Sequence, residues 1–480
     1  MEKHHHHERS TFSGKLGFVL SAAGASVGLG NIWRFPYLAA KYGGGIFLLI
    51  YIILALTFGY SMIIAETALG RMTRKSPVGA FGKFGKSKWL SFGGWINAVI
   101  PILIVPYYSV IGGWVIKYLV EYVKGNSQKL AEDGYFSAFI SDGTSTEICF
   151  LVFALLTLAI IFAGVRNGVE RVSKFMMPIL VFLSVLIAIY SVTRPGALAG
   201  VKYFLVPNPA NFSWMTVVAA MGQMFYSLSI AMGILVTFGS YMKRDVSIED
   251  STTNVEIFDT AIAIMAGLMI IPAVFAFSGG DPDTLQAGPA LMFITIPKVF
   301  ANMGFGTPIG IFFFLLVLMA ALTSSIALTE SAVSTFQDEL RWPRKGATVI
   351  VGIIMVILGS LSSLGYGPLA FVKIIGMQFL DFFDFLTNSV MMPIAAFATC
   401  ILISRVIGVG KIEEEVEADG GSFKRKKVFR FMIRYLCPIF TVIILLSSVA
   451  NAFGWISMLT DLTSDKRYRK AERADCGNDF

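Results

Sequence analysis

Eleven long apolar stretches, separated by short charged segments, constrain this chain more than any other feature of its sequence. A helix needs about 20 apolar residues to cross a bilayer, and most of the stretches reach that length. Only 15% of the 480 residues are charged and 55% are hydrophobic, which excludes a soluble domain. The sequence therefore predicts an all-α polytopic membrane protein. Its predicted spans are residues 14–38, 44–70, 90–123, 147–164, 168–192, 213–241, 255–278, 307–336, 346–364, 371–403 and 429–458.

The distribution of basic residues predicts which loops face the cytoplasm. Loop 71–88 carries six Lys or Arg residues and no acidic residue, so it should lie inside. The N-terminus is then cytoplasmic, and the other basic loops fall on the same side. The basic tail 466–473 falls outside, against the rule. The net charge of +8 is therefore explained by basic loops on one side of a lipid bilayer, and it does not indicate a nucleic-acid partner.

The sequence lacks the residue patterns that disulfide frameworks, metal sites and enzyme active sites require. Cys149, Cys400, Cys437 and Cys476 show no paired spacing, and the four histidines form the single run 4–7. We therefore expect no disulfide framework, no cysteine or histidine metal site and no histidine proton relay in the membrane. The sequence also contains no nucleophile–base constellation and no nucleotide-binding loop. It does not predict an enzyme.

The first span contains an irregular segment at membrane depth. Gly24, Gly28 and Gly30 lie within seven residues, with Asn31 and Arg34 close behind. Each glycine weakens a helix by about 1 kcal/mol relative to alanine, and an arginine in the membrane needs a partner or water. A packing face for another helix would explain the glycines but not the two polar residues. The pattern predicts a broken helix that offers carbonyls and amides to a ligand.

The sixth span repeats this peculiarity. Ser227 and Ser229 stand among apolar residues and are followed by Gly233. Two residues apart on a helix, the hydroxyls would point about 200° away from each other, so they serve one site only if the helix opens. Breaks five spans apart predict two inverted five-helix repeats, spans 1–5 and 6–10, with discontinuous helices 1 and 6, plus span 11. The predicted divisions are 1–13 (cytoplasmic segment), 14–192 and 193–403 (repeats), 404–458 (cytoplasmic loop and span 11) and 459–480 (tail).

The eighth span offers oxygen atoms on one face. Thr323 and Ser324 follow Ala320 by three and four residues, so their hydroxyls and the Ala320 carbonyl share a helix face. The two hydroxyls could simply bond back to their own helix. Together with carbonyls from the broken first span, however, they would form a five-oxygen cage suited to Na⁺, a hard cation. We favour the cage.

Three carboxylates and two tyrosines also stand in apolar surroundings. Asp259 would either need a partner or a cation in the membrane or face water near a helix start, where it favours the helix dipole. For Glu66 and Glu330 we expect structural hydrogen bonds to opened backbone. Tyr107 or Tyr108 could cap a substrate carboxylate, although a tyrosine there is more often packing.

The segments 24–36, 107–108, 225–229 and 322–327 together resemble the neurotransmitter:sodium symporter family. The likeness extends over about residues 12–457, and the first-span motif is highly specific. Eleven spans rather than twelve resemble the bacterial amino-acid branch. The resemblance implies Na⁺-driven symport of L-amino acids, hydrophobic or aromatic, by alternating access in the plasma membrane, here a bacterial inner membrane.

The resemblance also implies two Na⁺ sites. The first would use the carbonyls of Gly24, Val27 and Ala320 and the hydroxyls of Thr323 and Ser324. The second would use Ser26, Asn31, Ser227, Asp259 and the carboxylate of the bound substrate. That last contact would couple ion to substrate, because neither site is complete without the other.

A substrate pocket and two gates follow from the same resemblance. The substrate carboxylate would meet Tyr108, and Tyr226 would be the lid. The implied pocket residues are Ala25, Ser26, Gly28, Ile104, Tyr108, Tyr226, Ser227, Ser229, Met232, Ser324 and Leu328. The implied gate residues are Arg34, Asp384 and Gln223 on the outside and Arg9 and Asp338 on the inside, with Phe12 where the family usually has tryptophan.

Three departures from the family pattern affect the prediction. Ser26 stands where alanine is common, and Tyr226 replaces the usual phenylalanine lid. Asp259 stands where chloride-dependent members have asparagine, and Ala263 removes their chloride-binding hydroxyl. A fixed carboxylate would supply the negative charge that chloride supplies elsewhere, so no chloride requirement is expected.

Other functions remain possible from the sequence alone. A proton-coupled amino-acid permease of the same fold would use Asp259 or Glu66 as the proton site. A non-transporting amino-acid sensor or a channel is a different class. The Thr323/Ser324 pair favours sodium over protons, and the charged gate residues disfavour a channel.

Overall fold

The computed structural model describes residues 10–85, 87–279 and 288–454. Within these ranges the regular structure is helical, apart from one isolated bridge between Ile374 and Met377. Nine of the helices in these ranges are long and apolar enough to cross a membrane, and the bent pair Lys15–Ser26 with Gly30–Lys41 passes the same test as one broken span. We count the two helices Trp214–Ser227 and Ile234–Tyr241 as a second broken span, which corresponds to the predicted sixth span. In chain order, spans 1 to 11 are Lys15–Ser26 with Gly30–Lys41, Gly45–Thr73, Lys88–Val123, Gly143–Phe162, Val165–Val192, Trp214–Ser227 with Ile234–Tyr241, Ile248–Ser278, Gly306–Leu340, Arg344–Leu364, Phe379–Ile407 and Lys426–Ala452.

Short helices occupy several of the connections. The short helices that lie between consecutive spans in the chain are Pro77–Gly82, Ser127–Leu130, Tyr135–Ser141, Ala197–Leu205, Pro209–Asn211, Leu291–Ala301, Val409–Val416 and Glu417–Asp419. The fold is thus an all-helical polytopic membrane protein, as predicted.

Span 1 is broken where the glycines predict it. Its two halves are bent by 54°, and the first half ends at Ser26 because Val27 adopts extended backbone angles. Inside the break, the Gly28 amide donates to the Asn31 side chain at 3.2 Å instead of to a helical carbonyl. The break therefore leaves the carbonyls before it free to face a neighbouring group.

Span 6 is also broken, between Ser227 and Ile234. Ser229, Ala231 and Gly233 have φ values of 53°, 59° and 69°, in the left-handed region where side chains are rarely found. The freed amide of Ala231 donates to Glu66 of span 2 at 2.8 Å. The expectation that Glu66 bonds to opened backbone is confirmed.

Glu330 of span 8 has different partners from those expected. Its carboxylate accepts hydrogen bonds from two of the three guanidinium nitrogens of Arg344, at 2.9 and 2.5 Å, and from the Tyr241 hydroxyl at 2.7 Å. The expectation of bonds to opened backbone is therefore wrong here. A buried carboxylate is satisfied equally well by a charged partner from span 9, which local sequence does not reveal.

Two helix starts differ from the predicted boundaries because of capping. Span 4 begins at Gly143, earlier than predicted, because the Asp142 side chain accepts the amides of Thr144 and Ser145. Span 7 begins at Ile248 because the Ser247 hydroxyl accepts the amide of Asp250. Polar capping residues thus make these two helices begin before their apolar stretches.

Candidate ion and substrate site

Ser324 of span 8 faces the break in span 1. Its hydroxyl oxygen lies 3.3, 3.1 and 3.4 Å from the carbonyl oxygens of Gly24, Ala25 and Val27. One hydroxyl proton cannot be donated to three carbonyls at once, so the cluster holds more lone pairs than protons. Such a concentration of oxygen atoms favours a cation.

Thr323 lies beside the same cluster. Its hydroxyl donates to the Met319 and Ala320 carbonyls of its own helix, at 3.0 and 3.1 Å, and its side chain packs against Gly24. Bonding back to the helix therefore describes Thr323 but not Ser324, whose contacts cross to span 1. Of the residues that the resemblance assigns to one Na⁺, Ser324 thus meets the Gly24 and Val27 carbonyls, while Thr323 packs against Gly24 and bonds to the Ala320 carbonyl.

A second polar cluster surrounds Asp259 on span 7. Its carboxylate accepts from the Asn31 amide at 2.8 Å and from the Ser227 hydroxyl at 2.9 and 3.1 Å. Asp259 is fully buried and lies eleven residues beyond the start of its helix. The interpretation of Asp259 as a water-facing residue at a helix start is therefore wrong.

Tyr51 of span 2 completes this cluster, and sequence analysis missed it. Its hydroxyl donates to Asp259 at 3.0 Å, and the side chain is fully buried. A tyrosine within an apolar stretch is indistinguishable from a packing residue until its partner on another helix is known. Near the same cluster, the buried hydroxyl of Ser26 has no hydrogen-bond partner among the described residues.

Close approach explains why glycines occupy the break. A methyl group added to Gly28 would lie 2.7 Å from the Ser324 hydroxyl and 3.1 Å from that of Tyr108. One added to Gly30 would lie 2.6 Å from the Tyr226 ring. These distances are too short for ordinary carbon contacts, so larger residues would push spans 3, 6 and 8 away from the break.

A small cavity lies between the two breaks and has a volume of about 30 Å³. All eleven residues that the resemblance assigns to the substrate pocket line it, and Leu29, Gly30, Asn31 and Ile234 join them. The Leu29 amide points to the Tyr108 hydroxyl at 3.4 Å, and the Ser229 hydroxyl donates to the Ala25 carbonyl at 3.0 Å. The volume suits about two water molecules, so a larger ligand requires the walls to move apart.

Two of the predicted outer gate residues, Arg34 and Gln223, lie next to residues that line this cavity. The Arg34 guanidinium lies 5.2 Å from the centre of the Tyr226 ring. Asp384 accepts instead from Asn388 at 2.6 Å and from the Tyr107 hydroxyl at 3.3 Å, and no ion pair within 4.0 Å joins these two described gate residues. Gln223 donates to the Gly30 carbonyl at 3.0 Å, so it ties span 6 to span 1.

The N-terminal segment packs against span 6 at the predicted inner gate. Phe12 is buried, its ring packs edge-on against Phe238 and Tyr241, and its amide donates to the Tyr241 carbonyl at 3.1 Å. Asp338 accepts the Ser76 amide at 2.6 Å. Arg9, the other predicted inner gate residue, lies outside the described residues.

Comparison with known proteins agrees with this arrangement. The model of the sodium:neurotransmitter symporter family matches residues 9–131 and 136–457. An uncharacterized sodium-dependent transporter of Bacillus subtilis, YhdH, is 34% identical over 91% of this chain and 97% of its own length. A second uncharacterized sodium-dependent transporter, from Haemophilus influenzae, is 31% identical over 93% of this chain and 99% of its own.

A solved structure shows a similar fold. The crystal structure of MhsT in complex with L-phenylalanine superposes with a TM-score of 0.82 at 35% identity, over 92% of this chain and 100% of that one. The match to the family model covers nearly the whole chain, and both broken spans lie within it. The chain belongs to the sodium:neurotransmitter symporter family, and it is a sodium-dependent transporter rather than an enzyme.

Proposed function

We propose that the protein couples the inward movement of Na⁺ to the uptake of an L-amino acid, hydrophobic or aromatic, without requiring chloride. The observation that carries this proposal is the convergence of Ser324 with three carbonyls of span 1. Hydroxyl and carbonyl oxygens are the ligands that hard cations prefer. Neither group gains or loses a charge near neutral pH, which favours sodium over proton coupling.

A second Na⁺ would bind between Asp259, Asn31, Ser227 and the Ser26 carbonyl. The substrate carboxylate would complete this site, so each ligand would raise the affinity for the other by the same factor. This arrangement gives Asp259 a second role in addition to its hydrogen bonds with Tyr51 and Ser227.

The charges in this pocket favour transport without chloride. Two anions, the Asp259 carboxylate and the substrate carboxylate, would face one Na⁺ and the substrate ammonium, which balances to zero. Ala263, one turn after Asp259 on span 7, is fully buried and carries no hydroxyl for an anion. An added chloride ion would therefore leave the pocket with an uncompensated negative charge.

The lining of the cavity favours an apolar substrate side chain. Ile104, Met232 and Leu328 are all at least 95% buried and offer only carbon and sulfur. MhsT was solved in complex with L-phenylalanine, and that amino acid fits the chemistry of these walls. Tyr226, stacked beneath Arg34, would close over the substrate.

Alternating access would then move the two breaks relative to the rest of the chain. We place the repeats at 14–192 and 193–403, with the N-terminus in the cytoplasm. Closure of Arg34 toward Asp384 would seal the outside, and release of the N-terminal segment around Phe12 would open the inside. The membrane potential would contribute about 2.3 kcal/mol per 100 mV for each net charge moved.

Uptake into proteoliposomes tests the proposal. Purified protein is reconstituted, and uptake of radiolabelled L-phenylalanine is measured with an inward Na⁺ gradient, with choline replacing Na⁺ at fixed pH, and with gluconate replacing chloride. We expect concentrative, saturable uptake that requires Na⁺ and is unchanged by gluconate. Uptake that persists in choline and follows a pH gradient would instead identify a proton-coupled permease. Na⁺-dependent binding without uptake would identify a sensor.

A further inference from the structure

One buried carboxylate at the start of span 5 holds the N-terminal segment, residues 10–14. The Ser13 amide donates to Glu170 Oε2 at 2.9 Å, and the Ser13 hydroxyl donates to Glu170 Oε1. Lys174, one turn further along span 5, donates to the same carboxylate at 2.6 Å and to the Ser13 hydroxyl oxygen at 3.0 Å. Both oxygens of the carboxylate therefore contact the N-terminal segment.

The close approach of this carboxylate also depends on Gly17, in the first turn of span 1. A methyl group added to Gly17 would lie 2.5 Å from the carboxyl carbon of Glu170. That distance is too short for an ordinary carbon contact, so a larger residue at position 17 would displace the carboxylate. Glu170 is only 2% exposed, and a charge buried so deeply needs a partner. Ser13 and Lys174 are the partners that it has.

The N-terminal segment contacts span 6 on its other side. The Phe12 ring packs edge-on against the rings of Phe238 and Tyr241. Lys243, just after the end of span 6, donates to the Ser13 carbonyl at 3.2 Å. The segment therefore joins the start of span 5 to the end of span 6.

Span 5 leads from this contact to the ion cluster. Met177 of span 5 is fully buried, and its sulfur would lie 3.5 Å from a methyl group added to Gly24. The Gly24 carbonyl is one of those that face Ser324. Met177 follows Glu170 by seven residues, or about two helical turns, so the two side chains lie on nearly the same face of span 5. Movement of the start of this span would therefore displace a residue beside the ion cluster.

We propose that Glu170 is a positioning residue for Na⁺ release, because it makes the N-terminal segment and the start of span 5 separate in one step. While Glu170 holds Ser13, span 5 covers the ion cluster, and loss of this contact loosens both elements together. The helical turn that contains Glu170, Val165–Glu170, is a π-helix, a geometry frequently found at functional sites. The effect on Na⁺ rests on the proposed function, whereas the linkage between the two elements does not.

Hydrogen–deuterium exchange tests the linkage in the full-length protein without Na⁺ or amino acid. Glu170→Ala removes both acceptor oxygens, so exchange in residues 10–20 and 165–175 should become at least about tenfold faster, the factor expected for loss of a hydrogen bond to a charged group. Ser13→Ala removes only the hydroxyl, and it should raise exchange in the same two segments by a smaller factor. Glu170→Gln keeps one acceptor oxygen and should lie between the wild type and Glu170→Ala.

Glu121→Ala is the matched control. Glu121 of span 3 also pairs with a lysine one turn away, Lys117, at 3.1 Å, and its side chain is 8% exposed. It accepts a further hydrogen bond from Asn126 at 2.6 Å. The control variant therefore loses comparable polar contacts, but exchange in residues 10–20 and 165–175 should stay at the wild-type rate.

The rate of Na⁺ release tests the consequence for transport. Release is followed by stopped-flow dilution of Na⁺-loaded protein into choline buffer. We expect Glu170→Ala to release Na⁺ at least about fivefold faster than the wild type. Its affinity for L-phenylalanine in saturating Na⁺ should change by less than about twofold, and Glu121→Ala should release Na⁺ at the wild-type rate. A purely structural role for Glu170 would not separate release from affinity in this way.

Two results would overturn the proposal. The first is faster exchange in residues 10–20 alone, which would show that Glu170 anchors the N-terminal segment without restraining span 5. The second is a wild-type rate of Na⁺ release in a variant whose exchange rises in both segments. If Glu170→Ala does not fold, the same two criteria apply to Ser13→Ala, which removes a single oxygen. The exchange measurement requires no transport, so failure of the amino-acid uptake assay would leave it intact.

Discussion

At the scale of single residues, hydroxyl oxygens on span 8 are the most direct test of the ion site. Thr323→Val with Ser324→Ala removes two oxygens and keeps nearly the same volume. Hydrogen bonds to charged groups contribute about 1.5–3 kcal/mol each, so we expect Na⁺ affinity to fall by about 100-fold or more. Na⁺-dependent uptake should be abolished, and the thermal midpoint without Na⁺ should change little.

Thr329→Val is the matched control on the same helix. The Thr329 hydroxyl donates to the Ser325 carbonyl of its own helix at 2.7 Å, and the residue does not line the cavity. This variant should keep wild-type Na⁺ affinity. Normal Na⁺ affinity and uptake in the Thr323→Val, Ser324→Ala double variant would remove span 8 from the ion site.

Asp259 tests the balance of charge in the pocket. Asp259→Asn keeps the shape of the side chain but leaves the site one negative charge short, so we expect Na⁺-dependent uptake to be lost. Adding Ala263→Ser supplies a hydroxyl one turn away, and uptake should then respond to chloride. Uptake is compared in chloride and gluconate buffers for both variants. Loss of most wild-type activity in gluconate would contradict the charge argument.

At this scale, the sequence predicted which residues meet but not all of their partners. Ser324, Asn31 and Asp259 were identifiable because polar groups are rare and costly at membrane depth. Tyr51 and the Arg344 partner of Glu330 were not, since both contacts join separate spans whose pairing the sequence does not show. Apolar periodicity carries no information about which helix faces which.

At the scale of helices, the breaks in spans 1 and 6 were predictable, because Asn31 and Arg34 beside the glycines of span 1, and the two serines of span 6, are polar residues that helix packing alone does not explain. Helix ends were predicted less well where a polar cap extends the helix, as Asp142 does for span 4. The start of span 10 at Phe379, rather than at residue 371, is a further difference. Ile375 and Gly376 before it have φ values of 52° and 79°, which end any regular helix there.

Span 5 provides a prediction about the path to the inside. Pro178 lies within this helix and removes a backbone donor, while Gly168 lies near its start. The family resemblance implies that this segment unwinds to let water reach the span 8 ion, and we propose the same here. Pro178→Ala restores the donor, so turnover should fall roughly five- to tenfold, the effect of about 1 kcal/mol on a barrier, with little change in substrate affinity.

Pro272→Ala in span 7 is the corresponding control, because this buried proline also lies inside a long helix. We expect it to alter stability more than turnover. Stopped-flow measurement of Na⁺ release separates the two variants. Equal turnover in wild type and Pro178→Ala would mean that Pro178 is a structural kink and not part of a hinge.

At the scale of the whole molecule, transport requires gates that open and close. Arg34 and Asp384, both among the described residues, form no ion pair within 4.0 Å, and Asp384 accepts instead from Tyr107 and Asn388, so an asparagine at position 384 would keep most of the hydrogen bonds that hold this side chain. Asp384→Asn should therefore reduce uptake at least about tenfold, while the thermal midpoint should move by less than about 2 °C. Asp381→Asn is the control, because the Asp381 carboxylate accepts from the Tyr366 hydroxyl at 2.8 Å. This variant should keep more uptake activity than Asp384→Asn. Unfolding of Asp384→Asn would indicate a structural carboxylate instead.

The residues of span 6 that have a left-handed backbone conformation affect how tightly Na⁺ transport is coupled to substrate transport. Ser229 and Ala231 each accept about 1–2 kcal/mol of backbone strain, which restricts the break to few conformations. Glycine at both positions would relieve the strain and enlarge that set of conformations. We expect the Ala231→Gly variant, which keeps the hydrogen bond from Ser229 to the Ala25 carbonyl, to leak Na⁺ when no amino acid is present, measured as radioactive Na⁺ entry into proteoliposomes. Na⁺ entry without amino acid in this variant, and not in the wild type, would show that backbone strain in the break keeps Na⁺ movement coupled to substrate.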